Sequence, residues 1–208
     1  MIRISLLLGL LLAAPAETFT QFTYCRAAPT GSFESLCIRL DPTGAGESQF
    51  KRREDDDLKI DIKLSPGGTS QFLDLLAGTK YLANGNAYES KKKVANLGMK
   101  HLTLERADGK REATFNYSEL KEVGALVDFF EALIAQETLA FDLQWAIQFD
   151  RLGVPDRLDR LEGFVKMGRV SDPKTLIDIL DTISADEHIV NYARAHAKTL
   201  RDKIALVK

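Results

Sequence analysis

The sequence predicts an α+β protein, with a small antiparallel β-sheet and packed helices followed by a C-terminal α-helical bundle. Apolar and polar residues alternate through the first half, as they do in strands with one buried face. From residue 118 onward, apolar residues instead recur every three or four positions, which is the period of helices. The chain has 208 residues, 45% of them hydrophobic and 28% charged, which is typical of globular proteins.

The first sixteen residues have the features of a signal peptide. Arg3 supplies a positive charge, residues 4–12 form a short apolar run, and Ala14 and Ala16 give the A-x-A pattern of a cleavage site. We expect cleavage between Ala16 and Glu17; the alternative is an uncleaved N-terminal anchor. No later apolar run is long enough to cross a bilayer. The sequence therefore predicts an exported, soluble chain without stable membrane insertion after cleavage.

Cys25 and Cys37, the two cysteines of the chain, are predicted to form a disulfide. An exported chain meets an oxidising compartment, where a cysteine pair is typically bridged. Redox chemistry and zinc binding are the alternatives, but the chain has no C-x-x-C motif and its histidines lie far from both cysteines. The bridge is expected to tie an N-terminal segment, residues 17–34, onto the first strand.

Alternating stretches predict five strands in the first half of the chain. Residues 58–64 give the clearest pattern, with leucine and isoleucine on one face and charged residues on the other. Asp108-Gly109 supplies residues that accept the positive φ of a tight hairpin turn. The predicted strands are residues 35–41, 48–53, 58–64, 99–106 and 111–117. A helix capped by Thr69 or Ser70 is predicted between the third and fourth strands.

Two apolar stripes mark the helical segment that follows. Phe141, Trp145 and Phe149 form one stripe, and leucine and isoleucine form the other. Because a helix that is apolar on two sides is normally sandwiched, this segment is predicted to lie between the sheet and the later helices. The aromatic stripe is then core; the alternative is that it lines a ligand pocket. Residues 118–152 form either one long helix or two helices that break near Gln136.

Three further helices are predicted near the C-terminus. The first has Pro155 in its first turn, and the second begins at Asp172 and Pro173. The third opens with a capping box of Ser184 and Glu187. The predicted parts of the chain are a signal peptide (1–16), a disulfide-tied N-terminal segment (17–34), an α+β domain (35–136), and a helical region that shares its core (137–208).

Two groups of residues carry a resemblance to known families. The first is CIRLDPTGAGE, LKIDIKLSPGGTSQFLDLLA and HLTLERADGKREATFNYSELKEV. It resembles an uncharacterised family of α+β domains in exported bacterial proteins, over about residues 35–136, which implies a periplasmic or extracellular bacterial setting and no activity. The second, DPKTLIDILDTISADEHIVNYARAHAKTLRDKI, resembles a HEAT-type helical hairpin. That family's usual implication is protein binding.

Motifs of catalysis and metal binding do not occur in the sequence. It contains no G-x-S-x-G, H-E-x-x-H or P-loop pattern, so we assign no catalytic residue, metal site or cofactor. His196 is predicted to pack on an apolar stripe, His188 to lie in a first helical turn, and His101 on the wet face of a strand. The acidic run at 54–57 lacks the spacing of a calcium loop and is interpreted as a solvated connection.

The charge balance and the missing motifs narrow the range of functions that the sequence supports. A net charge of −2 gives no basic excess of the kind that binds nucleic acid. The sequence favours a non-enzymatic, exported protein-interaction module that binds another protein of the cell envelope or secretome. The alternative is a small-molecule-binding protein or enzyme with a cleft between the sheet and the helices.

Overall fold

A computed structural model of the chain describes residues 18–27, 33–52 and 57–206. The predicted signal peptide, its cleavage site between Ala16 and Glu17, and residues 54–56 of the acidic run lie outside these ranges. Within them, six strands form one antiparallel sheet, and the helices cover one of its faces and continue into a C-terminal bundle. The α+β prediction is confirmed.

The elements are numbered here in chain order. The strands are β1 (Gln21–Ala27), β2 (Phe33–Leu40), β3 (Ala45–Arg52), β4 (Leu58–Lys63), β5 (Lys100–Arg106) and β6 (Gly109–Phe115). The α-helices are α1 (Pro66–Gly78), α2 (Lys121–Phe149), α3 (Val154–Lys166), α4 (Ile177–Ala185) and α5 (Asn191–Ala205). Single-turn 3-10 helices occur at Gly85–Ala87, Arg151–Gly153 and Pro173–Leu176.

The first strand lies in the middle of the sheet, whose order is β4-β3-β2-β1-β5-β6. We expected residues 17–34 to be a loose segment tied onto the first strand; for residues 21–27 this is wrong, because they form β1. Phe22 and Tyr24 point to the covered face and are fully buried. The alternation of these aromatic residues with polar ones is what favours a strand here.

The disulfide between Cys25 and Cys37 is confirmed, and it joins neighbouring strands. The two residues lie directly opposite each other in the β1–β2 pair, with their Cα atoms 4.1 Å apart. Since Phe22 and Tyr24 face the helices, Cys25 lies on the opposite, open face of the sheet. The bridge therefore connects two strands that already exchange backbone hydrogen bonds.

Residues 121–149 form one helix, α2, without a break near Gln136. Of the two alternatives, one long helix is therefore correct. Its first half, as far as Ile134, belongs to a buried cluster formed with the sheet and α1. From Leu139 onward it belongs to a second buried cluster formed with α3, α4 and α5. A single long helix thus runs through both clusters of the described chain, and its middle turn lies where they meet.

Helix α1 begins earlier than predicted, at Pro66 rather than near Thr69. Ser65 is the N-cap, and its hydroxyl accepts a hydrogen bond from the Gly68 backbone N–H at 3.1 Å. Pro66 suits the first helical position because it has no N–H to leave unpaired. Gly68 is needed at this point, since a Cβ there would overlap the Asp172 carboxylate.

Helix α5 begins later than predicted, and the proposed capping box is wrong. Ser184 lies in the last turn of α4, where its hydroxyl donates to the Asp181 carbonyl at 2.9 Å. The chain turns through residues 186–190, and α5 starts at Asn191. The Ser-x-x-Glu pattern is present in the sequence, but its serine already belongs to the preceding helix.

A buried polar network joins α1, α2 and the turn before α4. The Asp172 carboxylate, 3% exposed, accepts hydrogen bonds from the Ser65 backbone N–H (2.6 Å) and hydroxyl (2.7 Å). The Asp172 backbone N–H donates to Gln136 Oε1 at 2.9 Å, and Gln136 Nε2 donates to Thr175 Oγ1 at 2.8 Å. This network lies where the two apolar clusters meet, and its hydrogen bonds satisfy the polar groups buried there.

Candidate functional site

A cleft with a volume of about 440 Å³ opens between the sheet and the first turns of α2. We call it the α2 cleft. Its walls are mostly apolar and its floor is charged. It is lined by Arg26, Leu97, Lys100, Phe115, Asn116, Tyr117, Ser118, Gly124, Val127, Asp128 and Glu131. Its size is within the range of small-molecule sites, and it combines apolar walls with a few converging polar groups, as such sites do.

Two cations lie side by side in the floor of the α2 cleft. Arg26, near the end of β1, is the direct cross-strand partner of Lys100, the first residue of β5. Both lie on the covered face of the sheet. Arg26 is two positions after the buried Tyr24 in β1, and Lys100 is two positions before the buried Leu102 in β5. Like charges directly opposite each other on one face of a sheet are destabilising. This pair therefore needs compensating anions.

Glu131 of α2 compensates one of the two cations. Its Oε1 atom lies 2.8 Å from Arg26 Nε, and it also accepts a hydrogen bond from the Tyr24 hydroxyl. Burial and the neighbouring Glu131 carboxylate raise the pKa of Tyr24, so its phenol stays a neutral donor. Glu131 is thus held from two sides at the edge of the cleft.

Lys100 has no such partner among the described residues. The residue is 8% exposed, and its Nζ donates to the carbonyls of Gly98 (3.0 Å) and Asn116 (2.8 Å). No carboxylate oxygen of the described residues lies within ion-pair distance of Nζ. Burial lowers the pKa of Lys100, with the more distant Glu131 carboxylate acting against this shift. An ammonium has three donors, so one remains for a group inside the cleft.

A second cleft, with a volume of about 250 Å³, lies between β4 and helices α2 and α4. We call it the β4 cleft. Its most perturbed group is Glu137, whose pKa burial raises to about 7; a hydrogen bond from Gln136 opposes this rise, and the Asp172 carboxylate adds to it. The Gln136 Nε2 to Glu137 Oε1 distance is 3.3 Å. Glu137 is therefore a group that titrates near neutral pH in the folded chain.

The raised pKa of Glu137 predicts that the protein becomes more stable as the pH falls from 8 to 5. The folded state binds a proton below about pH 7, whereas the unfolded chain binds it only near the ordinary value of 4.5. The stabilisation is present at pH 5 and lost as the pH rises through 7. We expect about 2–3 kcal/mol, less than the full shift implies, because the side chain keeps some contact with solvent.

Urea denaturation at pH 5 and pH 8 measures this change, with Glu137→Gln as the test variant. The difference between wild type and variant isolates Glu137 from the other carboxylates. Glu187→Gln, at an exposed position, is the control and should leave the pH dependence unchanged. A wild-type pH profile retained by Glu137→Gln would contradict the assignment.

The structure separates the three aromatic residues of the predicted stripe. Phe141 is partly buried and lines the β4 cleft. Trp145 is 45% exposed and Phe149 69% exposed, so their assignment to the core is wrong. The second cluster covers only the other face of α2, through Leu139 and Leu143. Beyond Phe141 the described elements cover the aromatic stripe only in part, with the Arg157 guanidinium of α3 lying 5.9 Å from the Trp145 ring centroid.

The histidines lie outside both clefts. His101 is exposed on the open face of the sheet and contacts Thr114 Oγ1 at 2.9 Å. His188 is exposed beside Asp186. His196 is the least exposed, and its Nδ1 and Nε2 atoms lie 3.4 Å from Asp159 and Glu162 respectively. Each histidine thus has a polar neighbour on the protein surface.

The charged floor of the α2 cleft was missed at the sequence level, although a signal was present. Arg26 and Lys100 stand at positions where the alternation of their strands predicts a buried apolar residue. A charged residue at such a position indicates a site that pairs or binds its charge. Glu131 gave no comparable signal, because a glutamate on a long helix is ordinary. The pairing of β1 with β5, which brings Arg26 to Lys100, is not encoded in any local pattern.

Neither helices nor side-chain clusters of the described residues indicate a membrane span or a metal site. No helix there has both the length and the apolar character needed to cross a bilayer. No group of three or more histidine, cysteine, aspartate or glutamate side chains is placed to hold a metal ion. Comparison of the chain with protein-family models and with curated proteins found no match.

Proposed function

We propose that this chain is an exported binding protein that holds a small, largely apolar ligand in the α2 cleft. The observation that carries the proposal is the cleft itself, with apolar walls from β6, α2 and the loop before β5 around a polar floor. The absence of catalytic motifs from the sequence favours binding over catalysis. Export is supported by the signal-peptide pattern and by the disulfide, which suits an oxidising compartment.

Part of the cleft wall is exposed, as an entrance requires. Leu97 is 53% exposed and Tyr117 38% exposed, whereas Phe115 is buried deeper in the cleft. A ligand that enters between Leu97 and Tyr117 covers apolar surface that water contacts in the free protein. Each Å² of apolar surface removed from water contributes about 25 cal/mol to binding.

Blocking the cleft at Gly124 is expected to abolish binding of an apolar probe. Gly124 lines the cleft on α2, and a Cβ built there meets no atom within 4 Å. In Gly124→Leu the new side chain fills the open space, and replacing glycine inside a helix stabilises it by about 0.8 kcal/mol. The measurement is a fluorescence titration with the neutral dye N-phenyl-1-naphthylamine. Wild type should bind it saturably, and Gly124→Leu should not.

Gly163→Leu is the matched control. Gly163 also lies within a helix, α3, and a Cβ there also meets nothing within 4 Å, but it does not line the α2 cleft. It should bind the dye as wild type does. Equal binding by Gly124→Leu and wild type would contradict the proposed function.

The predicted cleavage of the signal peptide has a separate test. Mass spectrometry of the exported protein should find Glu17 at its N-terminus.

A second candidate function, binding of another envelope or secreted protein, is favoured by the exposed end of α2. We call Trp145, Phe149 and Leu152 the α2 tip; Leu152 is 83% exposed. Contiguous exposed apolar side chains of this size are typical of interaction surfaces.

The charges around the α2 tip indicate the chemistry of such a partner. Arg157 pairs with Asp150 at 3.1 Å, and Arg160 lies 3.8 Å from Asp142. With these charges compensated inside the chain, the tip fits a partner that presents an uncharged apolar groove. Phe149→Ser should fold normally and fail to co-purify a partner that wild type captures from its own cell envelope. Unchanged capture by Phe149→Ser would exclude the tip as the interface.

A further inference from the structure

We propose that the ligand of the α2 cleft is an amphipathic anion, with an apolar body and one carboxylate, sulfonate or phosphate head group that Lys100 and Arg26 bind. This inference rests on the proposed function and adds the chemistry of the head group. It is carried by the placement of two cations, directly opposite each other, at the floor of a cleft whose walls are mostly apolar.

The β1–β5 register fixes the two cations as neighbours. Arg26 pairs with Lys100, and both face the covered side of the sheet. Cross-strand partners have Cβ atoms about 4.5–5.5 Å apart, so their side chains leave the sheet together. A bound anion between them adds an attractive contact to each cation and so offsets their mutual repulsion.

The carboxylates of the described residues form a direct ion pair with only one of the two cations. Glu131 neutralises Arg26 through the Nε atom, at 2.8 Å, but without the alignment of a hydrogen bond. The terminal guanidinium nitrogens of Arg26 have no hydrogen-bond partner among the described residues. Lys100 donates to two backbone carbonyls, which carry no net charge. Glu131 contacts Arg26 directly and acts on Lys100 only from a distance, as Glu89 also does, so donors of both cations remain for a ligand.

The second acid of the cleft does not alter this conclusion. Asp128 is exposed on α2, and its carboxylate is hydrated, so it costs little when it has no partner. Lys100 is buried, and Glu131 and Glu89 act on it only from a distance, so part of the cost of burying its charge remains. A cationic ligand in the cleft would add to the charge around Lys100, whereas an anionic ligand compensates it. The buried cation therefore determines the charge of the ligand.

The test compares two dyes that share their aromatic rings and differ in charge. 1-Anilinonaphthalene-8-sulfonate carries a sulfonate, and N-phenyl-1-naphthylamine is its neutral counterpart. Wild type should bind the sulfonate more tightly than the neutral dye. Lys100→Met keeps the length and apolar character of the side chain but removes the charge. It should weaken sulfonate binding about tenfold to a hundredfold, as expected for the loss of a hydrogen bond to a charged group. Binding of the neutral dye should stay within about twofold.

Glu131→Gln provides a variant with the opposite expected effect. Its amide oxygen can still accept from the Tyr24 hydroxyl, while the negative charge beside Arg26 is lost. Sulfonate binding should tighten about fivefold, because a competing anion has been removed. Lys110→Met, at an exposed position outside the cleft, is the control and should bind both dyes as wild type does. Thermal unfolding of each variant confirms that it is folded.

The outcomes separate this inference from the proposed function. If wild type binds both dyes with equal affinity, and Gly124→Leu abolishes binding of the neutral dye, the cleft remains a binding site. Its proposed preference for anions would then be overturned. Sulfonate binding unchanged in Lys100→Met, or weakened in Glu131→Gln, would also overturn it. No saturable binding of either dye would contradict the proposed function itself.

Discussion

Phe130→Ala is expected to lower the free energy of unfolding by about 3–5 kcal/mol, the usual cost of emptying a buried aromatic site. Phe130 is fully buried, with its ring centroid 5.1 Å from that of Phe22 and 5.8 Å from that of Phe72. These rings belong to β1 and α1, so Phe130 of α2 is where the sheet and both covering helices meet. Urea denaturation monitored by circular dichroism measures the loss.

Trp145→Ala is the control for this prediction. The residue is also a large aromatic of α2, but it is 45% exposed and contacts Phe149 and the Arg157 guanidinium, which lies 5.9 Å from its ring centroid. Its removal should cost about 1 kcal/mol or less. Trp145 fluorescence should be quenched by iodide. A loss for Trp145→Ala as large as that for Phe130→Ala would show that α2 is covered along its whole length.

Asp172→Ala is expected to destabilise the protein by about 3 kcal/mol, through loss of polar contacts rather than of packing. The substitution removes the acceptor of two hydrogen bonds from Ser65, the N-cap of α1. A buried donor without a partner costs about 1–3 kcal/mol, and bonds to a charged acceptor are stronger than neutral ones. The measurement is the same urea denaturation.

Two further variants decide whether these contacts are responsible. Asp172→Asn keeps one acceptor oxygen and should recover about half of the lost stability. Asp178→Ala removes an exposed aspartate in the first turn of α4 and should change stability by about 0.5 kcal/mol or less. Equal effects of Asp172→Ala and Asp178→Ala would mean that the buried network contributes nothing to stability.

The parts of the fold that local patterns determine are predictable from the sequence. The alternation of residues 58–64 and the turn at Asp108-Gly109 correspond to β4 and to the β5–β6 hairpin. The start of α1 was misplaced because Gly67-Gly68 is typical of a turn. Gly68 is there to admit the Asp172 carboxylate, a contact with a residue more than a hundred positions away. Such a requirement has no local signature.

The candidate site is less predictable than the fold, for the same reason. The cation pair of the α2 cleft depends on Arg26 and Lys100 meeting across two strands that are distant in sequence. The opposite error concerns Trp145 and Phe149. Their spacing correctly places them on one face of α2, but whether another element covers that face depends on where the sheet ends. Periodicity determines the face of a helix and not its neighbours.

The central position of β1 has a consequence for the order in which the chain folds. Of the described strands, β1 comes first in the chain and β2 follows it closely, but the other neighbour of β1 begins only at Lys100. The edge of β1 that pairs with β5 therefore depends on a strand far along the chain. Pairing across so long a loop is slow. A shift of β1 by one residue against β2 in that interval would turn Phe22 and Tyr24 to the wrong face. Because Cys25 and Cys37 are opposite each other only in the native register, oxidation of this pair would lock the correct alignment of β1 and β2 whether or not β5 has paired.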